Sequence, residues 1–335
     1  MPFQVSVVLP FHNAQATLGR AIESMVHQSF SDWELILINH ASTDQSADIA
    51  QAWAQQDTRL CVVNEYETGL VSALNRGLRE ANAPLVARMD ADDVAYPDRL
   101  AQQLHYLNDH PAVGAVGCVV RYCAADESTQ TGMDTYVHWV NTIISSEAIR
   151  LNRFVESPLV HPSVMFRTQL IDQYGFYRPG NFPEDYELWL RWLSHGVTLA
   201  KVPHILLDWY DSPSRLSRTN HRYSSEAFYR IKTDYLVDWL ERRNPFHPNV
   251  VVWGGGRKTR QRIHMLEAQD VCVQAIIDVV PHKTSLYPCI FYQDVAPPNQ
   301  YFVLSYVSNR GQRDEIRQFL LERGYHEGEH FLLVA

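Results

Sequence analysis

The sequence predicts an α/β protein in two parts: a mostly parallel sheet flanked by helices over residues 1–243, and a small second α/β domain over residues 249–335. Three observations carry this. Short apolar runs alternate with amphipathic helical patterns from Val5 to Val120, and strands of a parallel sheet covered on both faces read as such continuous runs. A polar stretch with two prolines, Arg242-Arg243-Asn244-Pro245-Phe246-His247-Pro248, interrupts helix and reads as a linker. A chain of 335 residues is also too long for one small core.

Val5-Ser6-Val7-Val8-Leu9, closed by Pro10, reads as the first strand. Leu18, Ala21, Ile22, Met25 and Val26 then recur on one helical face. Leu35-Ile36-Leu37-Ile38 is the second strand, and Ser42-Thr43-Asp44 offers caps for a helix over Ala47 to Ala54. Leu60-Cys61-Val62-Val63 is the third strand, followed by the stripe Leu70, Ala73, Leu74, Gly77, Leu78 and Ala81. Leu85-Val86-Ala87-Arg88-Met89 is the fourth strand, Pro97 suits the first turn of a helix through Leu107, and Val113 to Val120 reads as a fifth strand. From about Thr131 to Arg243 the pattern is less regular, with helices at Glu184 to His195 and Glu226 to Glu241. Ligands of such sheets sit beyond the carboxyl ends of the strands. That rim collects Asn13, Asn39-His40, Glu65 and Asp90-Ala91-Asp92-Asp93.

Composition narrows the function. Apolar residues are 46% and charged residues 20%, as in a soluble globular protein. A net charge of -9 argues against nucleic acid as a partner. No apolar run approaches the length that spans a bilayer. Met1-Pro2-Phe3-Gln4 runs into a strand with no basic segment ahead of an apolar one, so no secretory signal is expected. The cysteines Cys61, Cys118, Cys123, Cys272 and Cys289 are scattered, without a CxxC pair. Reduced thiols in a cytoplasmic protein, and no zinc site, are the expectation.

Asp90-Ala91-Asp92-Asp93 follows a buried strand, and alternation puts Asp90 and Asp92 on one side where extended geometry persists. Two carboxylates converging at a strand end suit a hard cation such as Mg²⁺ or Mn²⁺, whose shell phosphate oxygens complete. The plain alternative is a solvated turn that caps the next helix.

Around this cluster stand Val5-Ser6-Val7-Val8-Leu9-Pro10-Phe11-His12-Asn13, Gln28-Ser29-Phe30-Ser31-Asp32-Trp33-Glu34-Leu35, Ala41-Ser42-Thr43-Asp44, and Gly69-Leu70 with Ala73-Leu74-Asn75-Arg76-Gly77. Ala87-Arg88-Met89 leads into the cluster and Pro97-Asp98-Arg99-Leu100 follows it. Farther on come His161-Pro162-Ser163-Val164-Met165-Phe166 and Pro183-Glu184-Asp185-Tyr186-Glu187-Leu188-Trp189-Leu190-Arg191. In this order the set resembles family 2 glycosyltransferases over roughly residues 3 to 240. The resemblance implies a GT-A fold and an inverting transfer from a nucleoside-diphosphate sugar, with a uridine donor favoured, to a saccharide or lipid-linked hydroxyl acceptor. It maps the family's metal motif onto Asp90 and Asp92, with Asp93 a candidate to share it, and the catalytic base onto Asp185. Glu184 either orients that base or binds the acceptor. Surface polysaccharide or glycolipid synthesis, with peripheral contact at the inner membrane face, is what the resemblance implies for its setting.

Each residue also has a local reading. Glu184 and Asp185 suit the first turn of a helix, where acids complement the dipole. Pro10, Asn13 and Asp44 are donor contacts by position, yet Asn13 and Asp44 equally suit helix starts. Asn39-His40 stands where family members carry an acidic pair that reads the base; an amide or imidazole can still bond a pyrimidine edge. Arg88 either pairs the diphosphate or forms an internal ion pair. His161 shapes the acceptor side or is structural. Arg191 and Arg215-Leu216-Ser217-Arg218 either cover phosphate or form a solvated basic loop.

Val250-Val251-Val252-Trp253-Gly254-Gly255-Gly256-Arg257 reads as strand, glycine turn, helix, with Asp278 at the end of the next strand. Strands at Val271 to Val280 and Tyr301 to Tyr306 and a helix at Arg313 to Arg323 complete a Rossmann-like accessory module. A third glycine of GxGxxG is replaced by Thr259, so the turn is either an anion cradle or a tight bend. A nucleotide, an acceptor or another subunit, giving a homo-oligomer, are the candidate partners. Two other functions compete with transfer: a nucleotide-sugar-binding regulator without turnover, and a dinucleotide-dependent enzyme fused to the first domain.

Overall fold

The computed structural model describes residues 3–67, 69–124, 132–212, 215–280 and 286–335. It begins with β1 (Val5–Phe11), α1 (Leu18–Val26), β2 (Trp33–His40), α2 (Ser46–Gln56), β3 (Leu60–Glu65), α3 (Leu70–Glu80) and β4 (Leu85–Arg88). β1 is buried at every position, as a strand covered on both faces must be. Leu18, Ala21, Ile22 and Met25 form the buried stripe of α1 at helical spacing. Then follow β5 (Val94–Ala95), α4 (Arg99–Asp109), β6 (Val113–Cys123), α5 (Gly132–Thr142), α6 (Ser146–Asn152), β7 (Met165–Arg167), α7 (Gln169–Tyr174), α8 (Glu184–Ser194), β8 (Thr198–Tyr210) and α9 (Leu216–Thr219).

The first sheet has the order β3-β2-β1-β4-β7-β6-β8-β5. β3, β2, β1 and β4 are mutually parallel, and β7 inserts antiparallel between β4 and β6. β6 and β8 are parallel, and β5 closes the edge antiparallel to β8. Pro203 and the exposed His204 break the apolar run of β8, which is why it escapes a pattern search. The pairing of β8 with β6 shifts register in the same region.

Gly77 shows how closely α3 lies on this sheet. A Cβ there would stand 2.4 Å from Val8 Cγ1 and 3.3 Å from Ile38 Cγ1. Those neighbours are β-branched and stiff. Gly77→Ala is therefore expected to destabilise the fold by about 1–3 kcal/mol, read as a lower urea midpoint at unchanged slope. An unchanged midpoint would mean that α3 can shift freely.

The second unit contains α10 (Ser225–Arg243), β9 (Asn249–Trp253), α11 (Arg257–Glu267), β10 (Cys272–Asp278), β11 (Cys289–Phe291), β12 (Val303–Ser305), α12 (Arg310–Glu322) and β13 (Phe331–Leu333). Its sheet is parallel throughout, in the order β11-β10-β9-β12-β13. The three-residue strands β11 and β13 are too short for a periodic signal. Asp278 accepts the Gly255 N–H at 2.7 Å, so this acid closes the glycine turn. Packing divides the chain into Met1–Ile149 with Pro158–His221, and Arg150–Ser157 with Arg222–Ala335. The sequence puts the division at residues 243–249, where proline stops a helix. Packing assigns that helix to the second unit, because Trp239 meets the Phe302 ring at 5.7 Å and Lys232 donates to the Val334 carbonyl at 2.8 Å. Among the described residues, no helix is long and apolar enough to cross a membrane.

Candidate active site

The carboxyl edge of the first sheet begins with Pro10, buried in β1 opposite Ile38. The chain then turns at Asn13, whose φ of 48° is one that asparagine tolerates. Asn13 Oδ1 accepts the Thr43 N–H at 2.8 Å, and its own N–H donates to Ser42 Oγ at 3.2 Å. Asp44 answers from the other loop, accepting the Gln15 N–H at 3.1 Å and the Ser46 N–H at 2.9 Å. Desolvation pushes the Asp44 carboxyl up, but the bonds from Ser46 and Gln15 outweigh it and hold the group below its ordinary range. Asn39 donates to Asn64 Oδ1 at 3.0 Å and accepts the Ser42 N–H at 3.2 Å. His40 Nε2 accepts the Gly69 N–H at 2.6 Å. Burial, then the neighbouring His12 ring, lowers the His40 pKa. These four candidate donor contacts thus tie three strand-end loops together.

β4 delivers the acidic cluster. Ligand oxygens of Asp90, Asp92 and Asp93 all lie within 4.8 Å of one another. Arg88 is 2% exposed in its side chain and pairs with Asp90 at 2.5 Å, the internal ion pair among its two alternatives. Burial pushes Asp90 up, yet Arg88, His161 and Arg215 outweigh it and hold this carboxyl below its ordinary value. Asp92 is pushed up to about 6 by burial and then by the Asp90 charge. Asp93 is fully buried and raised further by burial and by both neighbouring carboxylates. Its Oδ1 accepts the Tyr210 N–H at 2.9 Å, while its Oδ2 has no partner. A buried unpaired acceptor costs about 1–3 kcal/mol. Three converging carboxylates, mutual repulsion and an orphaned oxygen fit a hard divalent cation.

Two arginines face this cluster. Arg20 lies 3.9 Å over the Tyr210 ring and donates to the Asp92 carbonyl at 3.0 Å. Arg215 lies 4.2 Å over the Trp209 ring, and its charge draws down all three carboxyls. Arg218 turns away to pair with Asp211.

The motifs flanking the cluster are its frame. Gln28 accepts the Leu100 N–H at 3.0 Å and donates to the Tyr96 carbonyl at 2.8 Å. Ser29 donates to the Pro97 carbonyl at 2.8 Å and to Asp98 at 2.7 Å. Arg99 is fully buried and donates to the Arg88 carbonyl at 2.6 Å and to Gln103 at 3.1 Å. Gln103 then bridges the Val116 and Ser163 carbonyls at 3.0 and 2.8 Å. One polar network therefore spans β4, β6 and the turn that carries His161.

Across the site, Glu184 and Asp185 open α8, whose N-cap, Pro183, offers no side-chain acceptor. Asp185 accepts the Tyr186 N–H at 2.8 Å, so it also serves the helix start. Burial, then the Glu184 charge, pushes Asp185 up to about 7, with Asp90 contributing. A carboxyl so raised is suited to take a proton near neutral pH. His161 Nε2 lies 2.8 Å from the Tyr177 hydroxyl. Burial, then the Arg88 charge, lowers the His161 pKa well below its usual value.

Arg191 is not free to meet a ligand. It is 2% exposed, and its guanidinium serves Glu187 through two bonds of 3.1 and 2.9 Å. Its remaining donors serve the Tyr174, Gly175 and Phe176 carbonyls. Its role is to hold the segment that leads to Tyr177. Tyr177 itself carries no sequence signal. Asn75, in the segment Ala73-Leu74-Asn75-Arg76-Gly77, grips its main chain through bonds of 2.9 and 3.0 Å.

A family model described as Glycosyl transferase family 2 matches residues 6–175. Over 233 residues, the chain is 29% identical to the amylovoran biosynthesis glycosyltransferase AmsE of Erwinia amylovora, a match that covers 68% of this chain and 85% of that relative. S. aureus TarS 1-349, solved in complex with UDP-GlcNAc, has a TM-score of 0.56 at 16% identity, covering 71% of this chain and 66% of that one. The mannosyltransferase PcManGT from Pyrobaculum calidifontis, solved with GDP-Man and Mn²⁺, has a TM-score of 0.50 at 21% identity, covering 72% and 64%. At these identities the two solved structures speak to fold alone.

Proposed function

The chain belongs to glycosyl transferase family 2, and from that premise we propose that it moves a sugar, with inversion, from a nucleoside-diphosphate sugar to a hydroxyl acceptor. Its first unit carries the GT-A-like fold. The observation that carries the proposal is two groups of carboxylates coupled by charge: Asp90, Asp92 and Asp93 gathered within 4.8 Å, and a raised Asp185 that senses the Asp90 charge.

The chemistry divides between them. Asp90 and Asp92, with Asp93 sharing, would hold Mg²⁺ or Mn²⁺. Such a cation supplies neutralisation of the charge that develops on the departing diphosphate. Arg215 adds a second positive charge on that side. Asp185 takes the acceptor hydroxyl's proton as that oxygen forms a bond to the anomeric carbon. The bond from that carbon to the diphosphate oxygen breaks, and its electron pair leaves with the diphosphate. One displacement of this kind inverts the centre. Glu184 keeps the base's pKa high through its charge.

The donors named with the solved neighbours, UDP-GlcNAc and GDP-Man, make a mixed screen the natural test. Asn39 and His40 stand in the place of a base-reading acid, so uridine and guanosine donors both belong in it. UDP-GlcNAc, UDP-glucose, UDP-galactose and GDP-mannose are offered with Mn²⁺ or Mg²⁺, and nucleoside diphosphate release is read. Release that requires the cation supports the proposal; no release from any of the four, with a saccharide acceptor present, refutes it. The amylovoran relative makes a bacterial surface polysaccharide the acceptor class to try first.

The pH profile is a further expectation. Asp185 works only when deprotonated, and its pKa is raised to about 7. kcat/KM is expected to rise with pH through about 7 and to fall about tenfold per unit below it. Glu184→Gln removes the repelling charge, lowers the Asp185 pKa and moves the rise to lower pH. A profile that does not move in this variant argues against the coupling.

A further inference from the structure

The turn that carries His161 is held to β4, whose Arg88 N–H donates to the Val164 carbonyl at 2.9 Å. Arg88 and Asp90 both act on His161, and Tyr177 is acted on by Arg88, Asp185, Glu184 and Asp90. The His161 ring meets the edge of Trp189, on α8, at 6.0 Å. Both side chains are buried, His161 to 9% exposure and Tyr177 to 3%.

The direction of their 2.8 Å hydrogen bond can be argued. This is the bond that the Tyr177 hydroxyl makes with described residues, and burial keeps the phenol protonated. If His161 donated from Nε2, the buried phenolic proton would have no acceptor, at a cost of about 1–3 kcal/mol. The hydroxyl therefore donates, Nε2 accepts, and the neutral ring carries its proton on Nδ1. Nδ1 has no hydrogen bond to any described residue, and it is not among the polar atoms sealed from solvent without a partner. It is an N–H donor without a protein partner among the described residues.

In a single displacement the transferred sugar lies between the diphosphate and the acceptor oxygen. His161 sits on a turn bonded to β4, which leads to Asp90, and its ring touches α8, which Asp185 opens. We propose that His161 donates its Nδ1–H to a hydroxyl of the transferred sugar, and that Tyr177 is the positioning residue that keeps the proton on that nitrogen. Asn75 makes this dependable, since its side chain fixes both the N–H and the carbonyl of Tyr177. The pair would thereby help choose the sugar, because a donor aimed at a hydroxyl is left unpaired by an analogue that lacks it. This inference rests on the glycosyltransferase function proposed above.

Two measurements test it. Long-range ¹H–¹⁵N spectra of the ¹⁵N-histidine-labelled protein read the tautomer without turnover. His161 is expected to be protonated at Nδ1 at neutral pH, and Tyr177→Phe to move a substantial share of the proton to Nε2. A wild-type ring protonated at Nε2 overturns the inference. The second measurement is kinetic, on whichever of the four screened donors turns over fastest. In His161→Asn the amide stands near the place of Nδ1, and in His161→Gln near that of Nε2. Both are expected to lower kcat, with the Asn variant at least about tenfold the more active, the worth of roughly one hydrogen bond. Equal losses, or a more active Gln variant, overturn it. A wild type that turns over no donor sinks the underlying function. A wild type that turns over donor while carrying the proton on Nε2 sinks this inference alone.

Discussion

Asp185→Asn is expected to keep donor binding and to lose transfer by about 10²- to 10⁴-fold, the span that a positioned general base commonly contributes. The amide has nearly the shape of the carboxylate and can still accept the Tyr186 N–H, so the start of α8 has no reason to unravel. The variant also removes a charge that burial and Glu184 both disfavour. Folding should not suffer, and a lost rate then reports on chemistry. Single-turnover transfer and calorimetric titration of the donor nucleotide separate the two quantities. Transfer at the wild-type rate would remove Asp185 from the mechanism, and weakened nucleotide binding would make it a donor-side group.

Asp92→Ala is the complementary experiment. Asp90 is the poorer choice, since its removal strands the buried Arg88 that pairs with it. Asp93 is poorer too, because it accepts the Tyr210 N–H from inside the core. Asp92 leaves no such orphan. Its loss is expected to weaken Mn²⁺ binding at least about 100-fold, the upper end of what even an outer-shell partner is worth. In the absence of cation, thermal stability should hold or rise, because burial and the Asp90 charge push its carboxyl up to about 6. Titration of Mn²⁺ with and without nucleotide reads the first effect, and a melting curve in chelator reads the second. Unchanged Mn²⁺ affinity would move the cation elsewhere.

Much of this was visible in the chain. The alternation of apolar runs with helical stripes located β1 to β4 and their helices, because strands covered on both faces must be apolar throughout. β7, β8, β11 and β13 were not visible. Three of these are only three residues long, and β8 carries Pro203 and exposed His204 in mid-strand. The ordered motifs marked the right neighbourhoods but not the right tasks. Gln28-Ser29 and Pro97-Asp98-Arg99-Leu100 belong to the set that carries the family resemblance and prove to be the frame of the acidic turn. Arg191 looks like a phosphate contact and proves to be a buried strut.

By itself, the sequence determined the α/β class, the family, and the position of Asp90, Asp92 and Asp93 just beyond a strand end. Those depend on periodicity and local order, which a chain carries in its own spacing. Only the tertiary structure decided which polar groups face the site and which are taken up by one another. Asn13, Asn39, His40 and Asp44 are joined to partners 25 to 30 positions away or more locally to the next turn, and Tyr177 to Asn75 across 102. A buried donor or acceptor takes the nearest partner in space, and that distance is created by folding.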